Sequence, residues 1–157
     1  MKKLFLAVLT VLAFTVTNAQ NNCSDIEKNV SEFTGKISYR IDISENPIMV
    51  SINRSIRKHR DYIFLMIYIP EGGIYTGNGV YMILKDGQII SRPEEEVGYS
   101  LIGSQFYTSE LITLTEEDIE KMTVSGLKKF KLYLSTGELT DKQSDKFSEY
   151  LKCIVNF

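Results

Sequence analysis

The chain has 157 residues, 24% of them charged, a formal net charge of −2 and one histidine. That length suffices for one domain with a sizeable core. The mildly acidic balance argues against a nucleic-acid partner, because gripping a phosphate backbone calls for a basic face.

Met1-Lys2-Lys3 is a short basic start, and Leu4 to Val16 (LFLAVLTVLAFTV) is an uncharged apolar run too short for a stable bilayer span. Thr17-Asn18-Ala19 then offers a small residue before a cut. Residues 1–19 therefore read as a cleaved secretory signal, and 20–157 as a single α+β domain, periplasmic or secreted. Cleavage removes Lys2 and Lys3 and leaves the mature chain at −4. No later stretch has the length of a membrane span, so soluble export is expected, with no membrane span after signal cleavage. Cys23 follows Gln20-Asn21-Asn22 and not the small and aliphatic residues of a lipoprotein signal.

Next, Ser24-Asp25-Ile26-Glu27 has the form of a capping box, and Ile26, Val30 and Phe33 follow at helical spacing, predicting a short helix that ends at Gly35. Ile37, Tyr39, Ile41 and Ile43 alternate with polar residues, the pattern of a half-buried strand, and after Glu45-Asn46-Pro47 the alternation resumes at Ile48, Val50 and Ile52. Tyr62 to Ile69 (YIFLMIYI) is apolar without alternation, which predicts a central strand covered on both faces. Asp86-Gly87 between Val80–Leu84 and Gln88–Ser91 predicts a two-residue hairpin. An acidic loop is expected after Arg92-Pro93. Gln105 to Leu114 reads as a strand whose phase slips near Ser109-Glu110, suggesting a bulge.

Thr115 caps a short helix near 116–123, with Leu114 and Ile119 at the staple positions and Gly126 as its end. Phe130, Leu132 and Leu134 mark a strand whose other face shows Lys129 and Lys131, and Thr140 to Gln143 opens a terminal helix over 141–155. The resulting fold class is α+β: a mainly antiparallel sheet of about six to eight strands, sandwich-like or strongly curved, with three helices.

Two cysteines remain, Cys23 and Cys153. In an oxidising compartment an even pair is expected to bridge. The terminal helix places Phe147, Tyr150, Leu151, Ile154 and Val155 on one stripe, with Cys153 on its flank, where it can meet the N-terminal segment.

Catalytic, cofactor and metal motifs do not emerge. His59 has no nucleophile elbow to serve and no ligand spacing around it. With Arg54, Arg57, Lys58 and Arg60 it forms a basic cluster between two predicted strands. That cluster is either an anion or partner contact, or a solvated hairpin tip that guards an apolar strand, and the tip is the preferred reading. The glycine-rich GGIYTGNG stretch precedes a strand, not the helix a phosphate cradle needs, so it reads as a sheet-edge loop with Tyr75 and Asn78 as contact residues. Glu94-Glu95-Glu96 reads as a solvated loop, and Glu116-Glu117-Asp118 as first-turn acids favoured by the helix dipole. Tyr39, Tyr62 and Tyr68 are expected in the core or at its rim.

From Tyr62 onward the order of parts carries a resemblance. An apolar strand, the hairpin VYMILKDGQ, an acidic loop after Pro93, LITLTEEDI, KFKLYL and the closing KFSEYLKCI follow one another. This is similar to a set of small exported proteins of Gram-negative bacteria without an assigned function. The resemblance implies bacterial export and an α+β domain, and it transfers no catalytic residues. The expected function is a non-enzymatic exported module that binds a partner protein or small ligand through loops at one end of its sheet. The alternatives are an inhibitor or immunity-type protein blocking an enzyme, and a small carboxylate-dependent hydrolase.

Overall fold

The computed structural model describes residues 23–44, 47–71 and 73–157. The expected signal segment and its cleavage point lie outside the described residues, as does most of the Glu45-Asn46-Pro47 turn. A single 3-10 turn, Cys23–Asp25, leads into β1 (Glu27–Val30), β2 (Ile37–Ser44), β3 (Met49–Arg57) and β4 (Arg60–Glu71). Next come β5 (Gly77–Leu84), β6 (Ile89–Ile102), β7 (Gln105–Thr113), α1 (Glu116–Ser125), β8 (Leu127–Leu132), β9 (Ser135–Glu138) and α2 (Asp141–Asn156).

The strands join in one antiparallel sheet in the order β1-β2-β3-β4-β7-β6-β5-β8-β9, curled into a half-barrel. β6 makes the curl possible. Its first half pairs with β5 and its second half, from Gly98, with β7, so one long strand hands the sheet from one half to the other. Between those halves one residue of β5 (Gly79) opposes three of β6 (Pro93 to Glu95), a bulge that sharpens the bend.

The concave face holds the core. In-register partners Ile52, Leu65 and Ile112 are fully buried, as are Val80 and Leu132 on the other half. α2 lies in the curl against β2, β3, β8 and α1, and contributes Phe147, Leu151 and Ile154, each fully buried. Burying one such side chain stabilises the fold by roughly 1.5–3 kcal/mol, so the amphipathic stripe of α2 is the bolt of the half-barrel. Of the three caps expected, those of α1 and α2 form as reciprocal boxes, Thr115 with Asp118 and Thr140 with Gln143. Gly126 ends α1 at a φ of +76°. A hairpin turn forms at Asp86-Gly87, with Gly87 at φ +88°, but residues 85–88 connect the strands instead of the two-residue loop expected.

Several expectations are corrected. Among the described residues there are nine strands, not six to eight. The helix expected over 24–34 is not found; only the 3-10 turn Cys23–Asp25 stands there. Glu27–Val30 is an edge strand paired with β2, and Phe33, a residue needed for the predicted apolar stripe, is wholly exposed. β4 alternates after all: Leu65, Ile67 and Ile69 are buried, whereas Phe64, Met66 and Tyr68 on the convex face are half-buried and Tyr62 is exposed. The residues after Pro93 belong to β6. Pairing through Ser109 and Glu110 is continuous with β4 and β7 shows no bulge, because Thr108 is buried beside Tyr107 without a change of register. The strand predicted to run to Leu134 turns at Tyr133 (φ +53°) and Leu134, and β9 returns along β8.

The Cys23–Cys153 bridge is present, with Cα atoms 5.8 Å apart. It ties the N-terminal turn to the last turns of α2. The Tyr150 hydroxyl donates to the Asp25 carboxylate beside it, and burial together with that carboxylate pushes the phenol up to about 12.

Candidate functional site

The basic cluster divides. Arg54 is not in a loop. It sits within β3 opposite Ile63 and is mostly buried, and its guanidinium grips Asp61 at 2.7 Å and donates to the Ile154 and Val155 carbonyls at 2.9 and 3.0 Å. Those are orphan acceptors at the end of α2, so Arg54 caps a helix, and the same guanidinium holds the Asp61 carboxyl below its ordinary range. The other four residues do form a tip. Arg57 and Arg60 pair across a two-residue turn of Lys58 (φ +54°) and His59, all four exposed.

The glycine-rich stretch also divides. Gly77 and Gly79 lie in β5, where a Cβ on Gly77 would come within 2.5 Å of the Tyr133 ring and Gly79 takes a φ of +113°. These glycines admit a ring and a bulge, not a phosphate. Asn78, exposed, is within the strand, and Tyr75 remains in the loop, 42% exposed.

The acids at 116–118 are absorbed by structure. Asp118 completes the α1 cap and receives the Arg92 guanidinium, and Arg92 also donates to the Thr113 carbonyl. The acids at 94–96 instead line a surface hollow of about 460 Å³ with Arg92, Pro93 and Glu110, and Arg92 lies 3.9 Å from the Glu95 carboxylate. Partial burial, reinforced by the charges of Glu95 and Glu96, raises the Glu110 carboxyl. Among the described residues no group of three or more His, Cys, Asp or Glu is placed to hold a metal ion.

The most distinctive surface was not singled out by its residues in the sequence. β4 ends at Glu71, opposite Phe106, and β5 leaves β6 at Val97. From Gly98 the β6 strand is an edge without β5, paired only with β7, which β4 still flanks as far as Phe106. Only the tip of the β6–β7 hairpin, Ile102–Gln105, runs past β4, closed by Gly103 (φ +62°) and Ser104 and tied back by the Gln105 amide, which donates to the Glu71 carbonyl at 2.7 Å. The hairpin's apolar side chains have little to bury against: Tyr99, Leu101 and Ile102 are about half exposed, and Tyr99 rests on the Phe106 ring. The 73–76 loop must reach from β4 to β5 past β7 and β6, so it brings exposed Ile74 and Tyr75 to the same end. No lysine or arginine occurs from Asp61 to Leu84 or from Pro93 to Glu120. This end is therefore apolar and aromatic with an acidic margin of Glu71, Glu94, Glu95, Glu96 and Glu110. The readable signal was Leu101-Ile102-Gly103-Ser104, an apolar pair at a turn.

The class defined by this geometry is a curled antiparallel half-barrel bolted by a C-terminal helix, with a projecting hairpin tip. No protein-family model, curated protein or solved structure matches the chain.

Proposed function

We propose that the chain is an exported, non-enzymatic binding module, periplasmic or secreted, that engages a partner protein through the β6–β7 hairpin and the 73–76 loop. The observation that carries this reading is the concentration of exposed Ile74, Tyr75, Tyr99, Leu101 and Ile102 at one end of the sheet, with Glu71 beside them and the Glu94–Glu96 and Glu110 hollow along β6 and β7 behind. Large exposed apolar groups clustered with polar margins are the mark of an interaction site. The acids specify a partner with a basic margin, which would speed encounter and fix orientation. The same field opposes docking on an anionic membrane surface.

The exposed Leu101 and Ile102 beside the Gly103-Ser104 turn favour one alternative, an inhibitor or immunity-type protein whose hairpin tip enters the cleft of an enzyme. Capture from host periplasmic extract on mature chain 20–157 tests both. A partner held by the wild type, and by Arg57→Ala/Lys58→Ala/Arg60→Ala, but lost by Leu101→Ser/Ile102→Ser is the expected result. Loss on the basic-tip variant alone would overturn the assignment. An enzyme captured one-to-one and silenced would select the inhibitor.

A further inference from the structure

A second concave surface lies on the other half of the sheet, and it stands independently of the hairpin end. It is a groove of about 530 Å³ along β5, β8 and β9, within the usual size of small-molecule sites. The strand register explains its chemistry. Across the outward face one row reads Ile89, Ile83, Lys129, Glu138 and the next reads Ser91, Tyr81, Lys131, Thr136. Apolar wall and charged wall thus stand side by side. Ile48 also lines the groove; Phe130 and Gly137, between the two rows, turn instead to the core, where the buried Phe130 ring lies across Gly137.

The charges in the groove are unequal. Glu138 is shared by Lys129 at 3.1 Å and Lys128 at 3.5 Å. Lys131 has no acid within salt-bridge distance among the described residues, which leaves a surplus cation in a chain of net negative charge. Backbone donors lie beside it. Leu139 donates to Lys128 across the β8–β9 ladder, and hydrogen-bonded pairs alternate along antiparallel strands. Thr136 and Glu138 therefore turn their N–H groups away from β8, toward the free edge of the sheet.

We propose that this groove binds a small amphipathic monoanion, with its apolar body against Ile48, Ile83 and the face of the Tyr81 ring and its carboxylate at Lys131. The neutral Tyr81 and Thr136 hydroxyls sit where they can orient the head group, and the apolar wall sets a preference for a chain or ring over a compact ion.

Octanoate is the probe, titrated into ¹⁵N-labelled mature protein, with octan-1-ol and octylamine as neutral and cationic controls. Saturable one-to-one shifts at Ile83, Phe130, Lys131 and Thr136 are expected, with octylamine weaker by about tenfold or more. Lys131→Glu should invert that order and Lys131→Gln should abolish it, both with an unchanged melting temperature because the side chain is exposed. Three probes bound equally, a Lys131→Glu variant with unaltered preference, shifts confined to the hairpin end, or no saturation would each overturn the proposal.

Discussion

Arg54 and Glu110 both belong to central strands, and their surroundings drive their charges in opposite senses. Arg54 gains a carboxylate and two helix-end carbonyls, so its charge is stabilised and Asp61 is held ionised. That contribution is present above the ordinary aspartate range and is lost as pH falls through the lowered value. Glu110 loses water without gaining a cation, and its neighbours Glu95 and Glu96 add repulsion. Its folded state prefers the proton, so its stabilising share is complete below the ordinary glutamate range and is lost as pH rises through the raised value. Glu110→Gln, which keeps the shape and removes the charge, should therefore raise the thermal midpoint at neutral pH. The gap from wild type should close on acidification to about pH 4. A gap that does not depend on pH would show that the acidic margin exerts no strain on the fold. Arg54 also shows why residue type alone does not divide the basic cluster: five basic or potentially basic positions look alike in sequence, and only β3 pairing reveals that one of them faces a helix end.

At the scale of elements, legibility followed the strength of local chemistry. Both α-helix caps, the Asp86-Gly87 turn and the alternation in β2 and β3 carry their own physical cause, and all stand in the structure. β9 was hidden because Leu134 continues the Phe130, Leu132 alternation while Tyr133-Leu134 has no glycine, asparagine or aspartate to announce a turn. Tyr133 takes positive φ there, and its ring is admitted by Gly77, a contact between residues far apart in sequence. β6 was hidden by its bulge, whose Pro93 and glutamates read as loop. The Phe130–Gly137 pair makes the β8–β9 hairpin testable. A methyl on Gly137 would enter the Phe130 ring, and Gly137 has no positive φ to add backbone strain. Gly137→Ala should cost about 1–3 kcal/mol by overpacking, and Phe130→Leu should recover part of that cost in the double variant. Additive losses in urea unfolding would mean that the ring does not hold the glycine.

For the whole molecule, the 12-residue β4 sets a polarity between two ends roughly 35–40 Å apart. One end carries the basic tip at Arg57–Arg60, with the Cys23–Cys153 bridge, the Tyr150–Asp25 bond, the Arg54 cap and the Tyr39–Phe157 stack gathered around the last turns of α2 nearby. The other carries the β6–β7 hairpin, flanked on one side by β4 and held by the Ser100–Ser109 and Gln105–Glu71 hydrogen bonds. The covalent cross-link lies where α2 meets the N-terminal strands, and recognition is assigned to the opposite end. Closing a loop of 130 residues should contribute about 3–5 kcal/mol on the chain-entropy account. Cys23→Ser/Cys153→Ser should lose that amount in urea unfolding. Amide exchange should quicken first in β1 and the last turn of α2, while capture of a partner at the hairpin end persists in the protein that remains folded. Exchange that quickens equally in β6 and β7 would show that the bridge supports the whole curl. In that event the oxidising compartment expected from the first nineteen residues would be a requirement for binding as well as for stability.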